Sequence, residues 1–190
     1  MKHHVIYVPG ITDDTFRVQS LLLLTWWLYG VRPHLHVIPW AGDEAFAPKL
    51  QRLLDKVDGL HAQGHTLSLV GASAGASAVL NAYIQRKDKI SGLVYICGKI
   101  NHPESVSERT YSENPAFKES LGRLPETLAQ LTPEDKAKML SLYSPVDTSV
   151  PYPDTIIGGV AEKRLPRLRH GWAIVYAISL GAFGLIKFLK

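Results

Sequence analysis

The sequence predicts an α/β protein, a three-layer α/β/α sandwich around a mostly parallel central sheet. Three observations carry that reading. Short apolar runs alternate with amphipathic segments in the order βαβαβαβ, and parallel neighbours need such helical crossovers. The first run, Val5 to Val8, is β-branched and aromatic and is closed by Pro9-Gly10, as a buried strand ending in a turn would be. A third run, Leu67 to Val70, leads through Gly71-Ala72-Ser73-Ala74-Gly75 directly into a helical segment.

The remaining elements follow in order. Thr15 to Tyr29 carries Phe16, Leu21, Leu24 and Leu28 at helical spacing and stops at Gly30. His34 to Ile38 reads as the second strand. Phe46, Leu50, Leu53, Leu54, Val57 and Leu60 form the apolar stripe of a helix that Gly64 ends. Thr66 to Val70 is the strand feeding Ser73, Ala74 to Arg86 the helix after it, and Ile90 to Cys97 another apolar strand. Residues 99–138 are polar and rich in Glu, Ser and Pro, an insertion of short helices near the strand ends, with helix starts at Asn114-Pro115 and Thr132-Pro133. Met139 to Tyr143 is a fifth strand, Thr155 to Ile157 a short sixth, and residues 172–189 form one apolar C-terminal helix.

The 190 residues, 46% of them hydrophobic, suit a single domain spanning 1–190. A formal charge of +4 raises nucleic acid as a partner, but the basic residues are scattered apart from Lys163, Arg164, Arg167 and Arg169, so no nucleic-acid binding is expected. That cluster belongs on a solvated loop or beside an anionic surface such as a membrane face. A lone cysteine, Cys97, cannot form an internal disulfide and fits a reducing compartment. With only Val5 to Val8 apolar before Pro9, the N-terminus holds no signal-peptide core, and cytoplasmic localisation, with membrane association left open, is the expectation.

Ligands of such a sheet gather at the strands' C-terminal ends. There Ser73 sits on a turn tight enough to lift its hydroxyl clear, which makes it a candidate nucleophile needing a base. Only His102 and His170 follow it in the chain. His170 stands after the sixth strand and just before the last helix, where a strand-end loop can return it to Ser73, whereas His102 lies in the polar insertion. Asp147, emerging after the fifth strand, is the candidate for the acid that orients the histidine, with Asp154 as its rival. Backbone amides of Ile11, after the first strand, and Ala74, at the start of a helix, are the candidate oxyanion donors. His3, His4, His34 and His36 could be read as metal ligands, but paired histidines without carboxylate or thiolate neighbours are commonly surface or strand residues.

Val5 to Ile11, the Gly71 to Gly75 elbow, Tyr143 to Pro151 and His170-Gly171 together resemble the α/β-hydrolase family, in particular its very small lipases and esterases without a lid domain. That family ends its first strand in His-Gly; here the pair is Pro9-Gly10, and Ile11 takes the amide position. The resemblance implies ester hydrolysis through an acyl-enzyme by Ser73, Asp147 and His170, with a small-molecule or acyl ester as substrate and with no metal or organic cofactor. Thioesterases and peptidases use the same set. The alternative is a non-catalytic hydrolase-like protein that binds ligands or a membrane, motivated by the missing His-Gly pair and by the apolar 172–189 segment. That segment either packs on the sheet, leaving its bulky side for a second copy in a homodimer, or makes peripheral membrane contact.

Overall fold

The computed structural model describes residues 2–11 and 16–190, the Phe16 side chain excepted. Six strands form one sheet: β1 (His3–Val8), β2 (Val31–Leu35), β3 (Thr66–Ala72), β4 (Gly92–Ile96), β5 (Met139–Tyr143) and β6 (Ala161–Arg164). Their order is β2-β1-β3-β4-β5-β6 and every pairing is parallel. The register sets Val8 beside Gly71 and Ala72 beside Ile96, so the chain leaves β1, β3, β4 and β5 at one rim.

Side chains alternate across the sheet because successive Cβ atoms point to opposite faces. Ile6, Val8, Leu67, Leu69, Leu93 and Tyr95 pack into one apolar core. Val5, Tyr7, Val70, Ala72, Val94 and Ile96 pack into the other. The first is covered by α2 (Phe46–Ala62) and α3 (Gly75–Gln85). The stripe on α2 turns inward as its spacing requires, with Phe46, Leu50, Leu53, Leu54 and Val57 all buried. The second core lies under α1 (Phe16–Leu24), which tightens into a 3-10 segment at Thr25–Tyr29, and under α8 (His170–Ile178) and α9 (Ala182–Leu189). The expected helix start at Thr15 lies outside the described residues.

Residues 99–138 fold as short helices: a 3-10 turn at Pro103–Ser105, then α4 (Glu108–Glu113), α5 (Pro115–Gly122), α6 (Leu124–Ala129) and α7 (Pro133–Ala137). Two begin where Asn114-Pro115 and Thr132-Pro133 announce them. At α7 the Thr132 hydroxyl accepts from the Asp135 amide while Asp135 accepts from the Thr132 amide, a reciprocal cap.

Three expectations need correction. The second strand is Val31–Leu35, three residues before the expected His34 to Ile38. The sixth strand is Ala161–Arg164, not Thr155 to Ile157. Thr155 instead ends a 3-10 turn whose interior is tied down by the Gly98 amide donating to Thr155 Oγ1 and the Ser141 hydroxyl donating to the Thr155 carbonyl. All four β6 residues are exposed and three are charged, so an edge strand held by backbone bonds has no hydropathy signal. The apolar 172–189 segment is two helices, bent by 63° at Ser179 to Gly181. Ser179 turns its hydroxyl onto the Val175 carbonyl, and the Gly181 amide reaches back to the Tyr176 carbonyl. Serine and glycine are weak helix formers, so the chain breaks there and α9 folds back to bury Leu185, Ile186 and Leu189. No single described helix is long and apolar enough to cross a membrane; α8 and α9 reach that length only as a bent pair.

Candidate active site

Ser73 follows β3 in the left-handed region, φ 52°, a conformation that costs a non-glycine residue energy and persists only where its surroundings enforce it. The two glycines of the elbow make the turn possible by proximity. A Cβ on Gly75 would lie 2.2 Å from the Val8 carbonyl oxygen, and one on Gly71 would lie 2.6 Å from the Gly75 carbonyl oxygen. Gly10, from the turn after β1, lies against the serine itself, since a Cβ there would come within 2.7 Å of Ser73 Cβ. The Ser73 amide donates to the Ile96 carbonyl, so the elbow is also tied to β4.

His170, the first residue of α8, brings Nε2 to 2.9 Å from Ser73 Oγ across 97 positions of sequence. Its Nδ1 lies 2.6 Å from Asp147 Oδ2. An ionised carboxylate only accepts, so Nδ1 carries the proton and Nε2 is left to accept from the serine hydroxyl. The other carboxylate oxygen, Oδ1, accepts from the amides of Ser149 and Val150 at 2.9 and 3.0 Å. Burial pushes the Asp147 carboxyl up, but the His170 and Val150 donors outweigh it and hold the group below its usual range. The loop that delivers His170 is fastened to the end of β5: the Leu165 amide donates to the Tyr143 carbonyl, and the buried Ser144 hydroxyl donates to the Leu168 carbonyl at 2.6 Å.

The two rivals are paired with each other elsewhere. Asp154 accepts from Lys99 Nζ at 2.5 Å and meets His102 Nδ1 at 2.8 Å, so neither reaches Ser73 through the other's partner. Lys99 and Asp154 are both buried, and the Lys99 ammonium also donates to Ser105 Oγ.

Ser73 and His170 open into a cavity of about 630 Å³. Gly10, Ile11 and Ala74 line it beside them, which sets both residues expected to supply oxyanion amides at the wall nearest the serine. Ala74 is the N-cap of α3, so the positive end of that helix faces the same space. Val106 and Phe117 from residues 99–138, and Ile174 and Val175 from α8, make the rest largely apolar. Gln19, Lys99, Ser105, Ser107, Thr110 and Ser149 are polar members of the lining.

Lys99 and Cys97 carried no legible signal, each looking like an ordinary strand-end residue. Cys97, at φ 47° after β4, stands beside Asp147. Its sulfur, the Asp147 carboxylate and the His170 ring lie within 4.8 Å of one another, a spacing that could hold a metal. Burial, reinforced by the Asp147 charge, pushes the thiol well up, which opposes the thiolate a metal ligand must be. Of the histidines near the N-terminus, His4 Nδ1 lies 2.8 Å from His34 Nε2 with the His4 ring stacked on those of His34 and His65, and His3 Nε2 lies 2.9 Å from Ser68 Oγ.

No family model and no curated protein matches the sequence. Among solved structures, the chain is similar to Est1E from Butyrivibrio proteoclasticus, at TM-score 0.67 and 14% identity, covering 98% of this chain and 89% of that one. It is similar to the Paleococcus ferrophilus monoacylglycerol lipase, at TM-score 0.65 and 13% identity over 96% and 93%. MGS-MChE2, an alpha/beta hydrolase enzyme from a lagoon-sediment metagenome, matches at TM-score 0.68 and 10% identity over 99% and 90%. Together these likenesses establish the α/β-hydrolase fold across nearly the whole chain.

Proposed function

We propose that this chain, on its α/β-hydrolase fold, is a serine hydrolase that cleaves carboxylic esters through an acyl-enzyme. One observation carries the proposal: Ser73, His170 and Asp147 form a continuous hydrogen-bonded relay of 2.9 and 2.6 Å, and its Ser73 and His170 line a largely apolar cavity. His170 takes the Ser73 proton as Oγ attacks the ester carbonyl, and Asp147 steadies the imidazolium that forms. The amides of Ala74 and Ile11 face the developing oxyanion, and because both are backbone donors, Pro9 in place of histidine does not remove them. As the tetrahedral intermediate collapses, His170 protonates the departing alcohol. Water then attacks the acyl-Ser73 carbonyl and gives its proton to Nε2, and as the second intermediate collapses His170 returns that proton to Ser73 Oγ and the acid leaves. The likeness to a monoacylglycerol lipase supports the ester class, as does the cavity's apolar wall.

A fluorophosphonate probe should label the wild-type chain and leave Ser73→Ala unlabelled. An unlabelled wild type would remove the proposal in favour of a binding protein built on a hydrolase fold. Among p-nitrophenyl esters of graded length, the apolar cavity predicts a higher kcat/KM for medium acyl chains than for acetate; a series that falls steadily from acetate would contradict it.

A further inference from the structure

We propose that the layer formed by α1, Thr25–Tyr29, α8 and α9 is an interfacial face that docks this protein on an anionic lipid bilayer. Most of the large apolar side chains left in solvent belong to this layer. On α1 and its 3-10 continuation, Val18, Leu21, Leu24 and Leu28 recur every three or four residues and point outward, while Leu23 and Trp26 fill the core beneath. On the neighbouring pair, Trp172, Leu180 and Phe183 do the same. Leu28 and Leu180 are each 83% exposed and Trp172 68%, beyond what scattered surface residues explain when they share one layer. The two parts form a continuous surface: α1 packs on α8, α9 packs on the 3-10 segment, and the Tyr29 and Phe183 rings lie 5.9 Å apart.

Charge chooses the occupant. Residues 16–42 and 163–190 contain no aspartate or glutamate, and they carry Arg17, Arg32, Arg167, Lys187 and Lys190 among their cations. Arg32 lies over the Trp27 ring at 4.9 Å, joining a cation to an aromatic at the same border. Apolar side chains that enter the acyl boundary, ringed by cations that meet headgroups, are what an interfacial element requires. A second copy of this chain fits worse, because a two-fold interface would set these cations against their own copies. Val18 and Trp172 also line the cavity, so its mouth opens on this face. Docking stands on the face alone and does not rest on the esterase reading.

Co-sedimentation of the full chain should show partition onto vesicles of phosphatidylcholine with phosphatidylglycerol, weakening with added salt, and much less onto phosphatidylcholine alone. Lys187→Gln should weaken partition about fivefold. Leu28→Gln with Leu180→Gln should abolish it while fluorophosphonate labelling and circular dichroism stay unchanged. Absence of sedimentation, equal partition onto both vesicle types, or a dimer in size exclusion that the double variant dissociates would each overturn the proposal. Vesicle binding without probe labelling would uphold docking and sink the esterase reading instead.

Discussion

Asp147 and Asp154 leave the same end of the sheet, both buried, and their partners divide them into different tasks. Asp147 meets the ring of His170 and two backbone amides, whereas Asp154 neutralises the Lys99 ammonium. Asp147→Asn should therefore lower kcat on a p-nitrophenyl ester by about 10⁴, since an amide no longer holds Nδ1–H in place, with a smaller fall in melting temperature than Asp154→Asn. Asp154→Asn should act the other way. It strands a buried cation, and removing one partner of a buried pair costs about 3–5 kcal/mol, so chemical denaturation should show the loss. That Ser73, Asp147 and His170 come together was legible because chain order and strand-end position restrict the choices. Lys99 was not, because a buried lysine looks like any other until its carboxylate is located.

At the scale of elements, the elbow depends on how closely β1 and α3 approach. Gly75→Ala would drive a methyl group into the Val8 carbonyl, so it should both lower the melting temperature and reduce probe labelling of Ser73. An unchanged melting temperature would show that the turn has room the geometry does not reveal. Elements with an apolar period were readable: β3, β5, α2 and α3 lie close to where hydropathy puts them. Those whose position is decided by backbone pairing or by folding back were not. β6 is a charged edge strand, and the break between α8 and α9 appears as a uniform apolar run when read as composition.

Across the molecule, acid should be the destabilising condition. Burial first, then the neighbouring charges of His65, His34, Arg32 and Lys2, lowers the His4 pKa to about 4. Burial, with Lys56 and Arg52 nearby, likewise lowers that of His36 to about 4. Unfolded, each would titrate near the ordinary histidine value of 6.5, so between those values the unfolded chain binds more protons and stability falls as pH falls. Asp147, with its lowered pKa, adds a further loss at lower pH, as protonation removes its acceptor role toward His170. Denaturation midpoints should decline from pH 7 to pH 4, and His36→Gln should flatten the upper part of that slope.

The sequence by itself determined the alternation of strands and helices, the strand-end rim and the candidates for its chemistry, because periodicity, turn residues and chain order are local or ordinal properties. The tertiary structure alone decided that Asp154 pairs with Lys99 and His102, where the last strand pairs, and that apolar side chains of α1 and α9 stay in solvent. Those outcomes depend on distances between residues far apart in the chain, and only the packed sheet sets such distances.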